Sequence, residues 1–230
     1  MNIQEQKTKQ DWIDYLRSVD SPTLSNAIEL LKIRPRREGF TPVEIRCLFP
    51  ELGRMCGYAV TAQVETVNET APFELDRFIE LYRAVEASPK PAVVALQELG
   101  GHHNHAAHAG EVMSTIFTRL GAVGLVSDCC VRDLPEVRNL GFHYFARGSV
   151  VSHASFRIVR TAVPIQIHGL AIFPGDLLHG DENGLLSVPP GHEDELAAAV
   201  DQVRSREKRL MDWVRSDQFS LDGFHKFVVE

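Results

Sequence analysis

The sequence predicts an α/β fold, in which helices flank a β-sheet core within a single domain. Residues 111–120 repeat apolar side chains at helical spacing, and Gly121 ends that pattern. Residues 122–126 then form a short apolar run with β-branched side chains, which is typical of a buried parallel strand. A helix that leads directly into such a strand indicates consecutive layers of an α/β protein.

The overall composition is that of a globular protein and argues against several classes. The 230 residues are 44% hydrophobic and 24% charged, and the formal net charge is −7. Nucleic-acid binding needs a basic face, so we expect no nucleic-acid partner. No signal peptide heads the chain and no apolar run approaches the ~20 residues of a membrane span, so we expect no membrane association. Four cysteines without disulfide or CxxC spacing indicate reduced thiols and a cytoplasmic location.

The remaining elements follow the same two periodicities. Ser21 and Pro22 predict the N-cap and first turn of a second helix. We expect one domain over residues 1–230, with N-terminal helices within 10–32 and a C-terminal helix at 193–214. The other predicted helices are 72–87 and 134–140, and the other predicted strands are 56–66, 91–96, 143–146, 156–162, 164–167, 177–178 and 185–188.

Four charged side chains are predicted to meet at one edge of the sheet. Glu111 begins a helix, and Asp128 comes directly after the strand that follows it. Arg132 and Asp133 come a few residues later. Helix and strand run antiparallel, so the helix N-terminus lies at the carboxyl end of the strand, where α/β proteins bind ligands. We therefore expect residues 127–133 to lie outside the core and to form a site.

These residue types fit an anionic substrate and a divalent cation. The backbone N–H groups of Glu111, Val112 and Met113 would face the ligand at the helix N-terminus, which attracts anions. The Arg132 guanidinium suits a carboxylate, and the oxygens of Asp133 and Glu111 suit Mg²⁺ or a similar ion. An alternative stays open: Arg132 and Asp133 form an ion pair that caps a loop, and Glu111 is an ordinary first-turn acid.

The same stretch resembles a known family. Gly-Glu at 110–111 and Arg-Asp at 132–133, with twenty residues between them, resemble the Asp/Glu-X20-Arg-Asp signature of the RraA-like proteins. That group includes the class II aldolases of 4-hydroxy-4-methyl-2-oxoglutarate (HMG) and 4-carboxy-4-hydroxy-2-oxoadipate, which also decarboxylate oxaloacetate. It also includes the regulator of ribonuclease activity A, which inhibits ribonuclease E. The likeness extends over roughly residues 20–190.

The resemblance implies a fold, an assembly and a function. The implied fold is the single-domain αββα sandwich of RraA-like proteins, which is swivelling-domain-like and assembles as a homotrimer or hexamer with sites between subunits. The implied function is a metal-dependent lyase that cleaves the C3–C4 bond of a 2-oxo acid and releases pyruvate. A second function stays open, because regulators that bind ribonuclease E can keep the same signature.

The resemblance also implies roles for individual residues. Arg132 would be catalytic and stabilise a pyruvate enolate. Asp133 would hold Mg²⁺ or Mn²⁺ directly, and Glu111 would hold it through water. The implied substrate-binding residues are Gly110, Val112, Met113 and Arg132.

Glu207 is a further candidate for the metal site. It occupies the one gap in the apolar stripe of the C-terminal helix, and a carboxylate on a buried seam needs a partner. In the aldolases a C-terminal glutamate of the neighbouring subunit reaches the metal through water, and Glu207 is the candidate for that position. An intrahelical pair with Arg204 is the alternative.

A histidine-rich loop precedes the helix. His102, His103, His105 and His108 lie within residues 99–110, where family members carry glycines and a bulky residue. The loop has three interpretations: a transition-metal site, a polar loop beside the substrate, or one histidine that reaches the substrate as donor or base. We expect the last of these and choose His108, because it is nearest to Glu111 in sequence.

Cys129 departs from the family, in which glycine usually follows the aspartate at 128. The backbone can still turn there, but a close approach to a ligand is less expected than with glycine. The thiol has two interpretations, a nucleophile or a small packed side chain, and the sequence provides no base at motif spacing.

Overall fold

The helices and strands begin and end close to the predicted positions. The computed structural model describes residues 8–67 and 72–229, with side chains up to residue 225. The helices are α1 (Lys9–Arg17), α2 (Ser21–Leu30), α3 (Leu75–Ala87), α4 (Glu111–Arg119), α5 (Leu134–Asn139), α6 (Glu193–Val214) and α7 (Leu221–Val229). The strands are β1 (Arg46–Cys47), β2 (Met55–Val67), β3 (Ala92–Glu98), β4 (Ala122–Ser127), β5 (His143–Ala146), β6 (Ser155–Thr161), β7 (Ile165–Ile167), β8 (Leu170–Ile172), β9 (Leu177–Asp181) and β10 (Gly184–Val188).

One predicted helix start was wrong by a residue. The cap of α2 is Asp20, whose carboxylate accepts a hydrogen bond from the N–H of Thr23 at 2.9 Å. Ser21 is instead buried, and its N–H donates to Asp181 at 2.7 Å. The charged acceptor takes the capping position and the smaller side chain enters the interior.

The sheet is mixed and curls until it is nearly closed. Its strand order is β1-β5-β4-β3-β2-β9-β10, and β6 pairs with the far half of β2. The four strands from β5 to β2 are parallel. The segment before β1 reaches β10, where the N–H of Thr41 donates to the Leu185 carbonyl at 2.9 Å. The predicted α/β single-domain class is confirmed, and its two β layers are opposing parts of one curled sheet, with the β7–β8 hairpin beside them.

Alternate residues of the central strands enter two different cores. In β3, Val94 and Leu96 pack on the side that α3, α4 and α5 cover. Val93 and Ala95 point into the interior of the curled sheet, where Phe145 also lies. Because both faces are buried, β3 and β4 are continuous apolar runs in sequence. A third core lies between α1, α2 and α6.

Three extended segments prolong the sheet beyond the ends of β3, β4 and β5. Ala107 forms a parallel bridge with Cys130, and Val131 forms one with Ser149. Because this pairing continues the order of the sheet, Cys129 and Val131 are fully buried. The expectation that all of residues 127–133 lie outside the core was therefore wrong. Only Arg132 and Asp133, at the end of the segment, are partly exposed within it.

Among the described residues, every helix is too short or too polar to cross a membrane.

Candidate active site

A cavity of about 530 Å³ opens beside the N-terminus of α4. The α4 start, the end of the 129–133 segment, the start of β6 and helix α3 surround it. Gly110, Arg132 and Asp133 lie together at its polar end. The structure therefore brings together three of the residues that the sequence places in the site.

Asp133 is held in an unusual backbone conformation. Its φ of 58° and ψ of 44° are left-handed, which costs energy for a residue other than glycine. It precedes α5 but leaves that helix without a side-chain cap. Its Oδ2 instead accepts the N–H of Glu111 at 2.9 Å, and Arg132 Nε lies 3.5 Å from the same oxygen. Within the described residues Oδ1 has no hydrogen-bond partner, so one oxygen of this carboxylate is available to a ligand.

Gly110 is required by the close approach of that carboxylate. A Cβ at this position would lie 2.3 Å from Asp133 Oδ2 and 3.0 Å from Arg132 Nε. The backbone of Gly110 is extended, so the constraint is one of space rather than of conformation. The glycine of the Gly-Glu pair thus lets the Arg-Asp pair pack against the start of α4.

The N-terminus of α4 keeps part of its capacity to bind an anion. The N–H of Glu111 is occupied by Asp133. The N–H groups of Val112 and Met113 lack an acceptor among the described residues, as is usual in a first helical turn. The Glu111 side chain is exposed, and Val112 and Met113 both contribute to the cavity wall. The predicted carboxylate-binding position is sterically accessible.

His108 is engaged inside the protein. Its ring is fully buried, with Nε2 2.8 Å from Glu98 Oε2 and Nδ1 3.0 Å from Ser127 Oγ. Glu98 also accepts the N–H of Thr66 at 3.1 Å and that of Gly100 at 2.7 Å. Burial opposes ionisation of Glu98, but its hydrogen bonds with His108 and Thr66 outweigh burial and lower the pKa to about 2. Both ring nitrogens of His108 have partners, which leaves none free for a substrate in this arrangement.

The same network includes a group that could hold a metal ion. Glu98, His108 and Cys129 are all buried, and their ligand atoms lie within 4.8 Å of one another. Such a mixed N, O and S set suits zinc better than magnesium. However, a metal binds the thiolate, and burial raises the pKa of Cys129 to about 12. The Sγ donates to the Ala106 carbonyl at 2.9 Å, so Cys129 behaves as a packed thiol rather than a nucleophile.

The other loop histidines lie apart from the cavity. The loop that carries them is not helical. His103 Nδ1 lies 3.8 Å from a carboxylate oxygen of Asp128. Asp128 is buried and accepts a hydrogen bond from the N–H of Glu98 at 2.7 Å. The expectation that it joins Glu111, Arg132 and Asp133 at the sheet edge was therefore wrong. Burial raises the pKa of Asp128 to about 6.

Glu207 lies outside the cavity of its own chain. It is exposed, not buried on a seam, and its Oε1 accepts the side-chain amide of Asn26 at 3.3 Å. The alternative pairing with Arg204 is also not formed, since Arg204 donates to the Ser18 carbonyl at 3.1 Å. A contribution of Glu207 to the metal site would need a second subunit.

Two features of the site were not predicted. The first is Glu98. Its position in the sequence could have indicated a role, because it is a charged residue at the end of an apolar strand, two residues before Gly100. The other is the aromatic wall of the cavity, which includes Phe73, Phe78 and Phe156. Phe78 belongs to the apolar stripe of α3, and Phe73 comes just before that helix. Apolar spacing alone does not show whether such a side chain lines a cavity or packs in the core.

The fold and the Arg132–Asp133 pair together define a class of protein. It is an α/β protein that places a carboxylate and a guanidinium at one edge of its sheet. The model of the RraA-like family, described as Aldolase/RraA, matches residues 21–186. The chain belongs to the RraA-like family, and the resemblance drawn from 110–111 and 132–133 is confirmed.

Individual relatives agree with this assignment. A Halalkalibacterium halodurans protein named "Putative 4-hydroxy-4-methyl-2-oxoglutarate aldolase" is 28% identical over 222 residues, which are 92% of this chain and 94% of that protein. A chain from a crystal structure of "novel cellulases from microbes associated with the gut ecosystem" has a TM-score of 0.75 at 19% identity, covering 90% of this chain and 91% of that one. Streptomyces coelicolor RraAS2, "an unusual member of the RNase ES inhibitor RraA protein family", has a TM-score of 0.68 at 24% identity, covering 90% and 98%. The two structures show likeness of fold alone.

Proposed function

We propose that this protein is a divalent-metal-dependent lyase that cleaves the C3–C4 bond of a 2-oxo acid and releases pyruvate. The observation that carries the proposal is the pairing of Arg132 with Asp133 at the polar end of the cavity, with one Asp133 oxygen available. The name of the 28% identical relative supports the same chemistry.

The donor set at this end fits a hard cation. Asp133 offers a carboxylate oxygen directly, and Glu111, whose backbone N–H donates to Asp133, lies close enough in space to act through water. In a homotrimer or hexamer, Glu207 of the partner subunit would be a further carboxylate. Bound there, Mg²⁺ or Mn²⁺ would supply Lewis-acid polarisation of the 2-keto group.

The protein's own residues then have distinct tasks. The free N–H groups of Val112 and Met113 hold the substrate carboxylate at the start of α4. The Arg132 guanidinium faces the keto oxygen and stabilises the negative charge that develops there when the C3–C4 bond breaks. Such stabilisation accelerates the reaction because the charge is present mainly in the transition state and the enolate.

The proposal is tested by pyruvate release from a panel of 2-oxo acids. Purified protein with Mg²⁺ or Mn²⁺ should release pyruvate, EDTA should abolish the release, and either metal should restore it. Asp133→Asn should be inactive, whereas Glu136→Gln, an exposed acid on α5, should retain activity. Full activity after EDTA treatment, or in Asp133→Asn, would defeat the proposal.

A second candidate is a regulator that binds and inhibits ribonuclease E. The family model that matches the chain is described as Aldolase/RraA, so it covers members of both kinds. Inhibition of purified ribonuclease E by the wild type and by Arg132→Lys alike, with no pyruvate from any 2-oxo acid, would select this function over the lyase.

A further inference from the structure

The cavity has a small polar end and a much larger apolar wall. Its volume of about 530 Å³ falls within the ~300–1,000 Å³ typical of sites that enclose drug-sized ligands. The polar end occupies only the corner formed by Gly110, Arg132 and Asp133. The apolar wall is formed by Phe73, Phe78, Tyr82, Met113, Ile116 and Phe156.

The aromatic rings of this wall form a continuous surface. Phe156 packs against His108 with 5.5 Å between ring centroids, next to the polar end. Phe78 lies 5.7 Å from Phe156, and Phe73 lies 5.1 Å from Phe78. The surface therefore leads from the polar end to Phe73, which is 72% exposed at the rim.

Of the two arginines among the described residues that line the cavity, the one beside this wall is already paired. Arg157 directs Nε and Nη2 to Glu65 Oε2 at 3.0 and 2.7 Å. The ring Nδ1 of His153 contacts the neighbouring Ala154 carbonyl. A second carboxylate on a substrate would lose water against aromatic carbon, and among the described residues of this wall it would have to compete with Glu65 for Arg157, which is costly. An apolar group would gain from the same burial.

We propose that the substrate of this site is a 4-hydroxy-2-oxo acid that carries a bulky aromatic or branched apolar group at C4 in place of a second carboxylate. This inference rests on the proposed lyase function and specifies its substrate class. In the retro-aldol step the C3–C4 bond breaks and its electron pair stays on C3. The C4 hydroxyl loses its proton and becomes a carbonyl, and C3 then takes up a proton. The products are pyruvate and an apolar aldehyde, and no oxidant or reductant is consumed.

Two substrates that differ only at C4 test this preference. These are 4-hydroxy-2-oxo-4-phenylbutanoate and 4-hydroxy-2-oxopentanedioate, which carry phenyl and carboxylate respectively. We expect kcat/KM to be at least about tenfold higher for the phenyl compound, the lower end of what one apolar contact discriminates. Equal values, or a preference for the carboxylate, would overturn the inference while the released pyruvate still supports the lyase.

A variant of the wall connects the preference to this surface. Phe73→Ala should lower the ratio of the two kcat/KM values about tenfold, because it removes one ring from the wall. Phe73 is largely exposed, so the variant should fold. The matched control is Phe173→Ala, an exposed phenylalanine outside the cavity, which should keep the wild-type ratio. An unchanged ratio in Phe73→Ala would contradict the inference.

Binding separates failure of this inference from failure of the lyase proposal. Calorimetry would compare 4-phenyl-2-oxobutanoate with 2-oxoglutarate, neither of which has a C4 hydroxyl to cleave from. One outcome is that neither of the two 4-hydroxy-2-oxo acids releases pyruvate, but 4-phenyl-2-oxobutanoate binds at least about tenfold tighter than 2-oxoglutarate. In that case the lyase proposal fails and the proposed ligand class stands. Equal or weaker binding of the phenyl acid would overturn the ligand class as well.

Discussion

Two pairs of ionisable side chains lie beside the same cavity, Glu98–His108 and Arg132–Asp133, and they differ in how many of their polar atoms have hydrogen-bond partners within the protein. In the Glu98–His108 pair both side chains are fully buried, and every ring nitrogen and carboxylate oxygen has a protein partner. In the Arg132–Asp133 pair the side chains are 37% and 35% exposed, and one carboxylate oxygen has none among the described residues. A pair of the first kind holds chain segments together, whereas a pair of the second kind can bind a ligand.

The largest effect is expected at Arg132. Arg132→Lys keeps the charge but loses the planar fork. If the guanidinium stabilises the enolate, kcat and kcat/KM should both fall, on the order of 10²–10³-fold. Steady-state kinetics and a thermal melt measure this together. A rise in KM with unchanged kcat, in a stably folded variant, would reduce Arg132 to a binding residue.

An intermediate effect is expected at Gly110. Gly110→Ala would put a Cβ 2.3 Å from Asp133 Oδ2, so the carboxylate must move. We expect activity to fall at least about tenfold, because small displacements at a reacting centre are costly. The backbone is extended there, so the melting temperature should change little. Full activity in Gly110→Ala would show that the position of the carboxylate is not critical.

The buried pair should affect stability rather than chemistry. Glu98→Gln replaces one acceptor oxygen by a donor inside the network, which should cost about 1–3 kcal/mol at neutral pH. The melting temperature should fall by several degrees, and Glu136→Gln should not change it. The pKa of Glu98 is lowered to about 2 in the folded protein, from 4.5. Its contribution is therefore present above about pH 4.5 and is lost as the pH falls toward 2, so the two melts should converge there.

The smallest effect is expected at Asp128, where substitution should raise the melting temperature rather than lower it. Burial raises the pKa of Asp128 to about 6 from 3.8, so its ionised form costs stability above about pH 6. That cost disappears as the pH falls to about 3.8. Asp128→Asn keeps an acceptor for the Glu98 N–H and should melt slightly higher than the wild type at neutral pH only. A lower melting temperature at neutral pH would show that the charge is stabilising.

The sequence predicted local elements better than the environment of single side chains. Helix α4, strand β4 and the meeting of 110–111 with 132–133 follow from periodicity and from the antiparallel course of helix and strand. The partners of His108 do not, because Glu98 comes from a segment whose position depends on the pairing of β3 with β2 and β4. The exposure of Glu207 was also not predicted. The apolar stripe of a helix shows which face is buried, but it does not show how far along the helix other elements cover that face.

Manganese binding tests the comparison of the two pairs most directly. Titration with Mn²⁺, followed by electron paramagnetic resonance, would compare the wild type with Asp133→Asn and Cys129→Ala. We predict that Asp133→Asn weakens Mn²⁺ binding at least about tenfold, the lower end of the loss caused by removing even an outer-sphere partner of a metal. Cys129→Ala should bind as the wild type does. Loss of binding in Cys129→Ala with wild-type binding in Asp133→Asn would place the metal in the buried network and contradict the site proposed at Arg132 and Asp133.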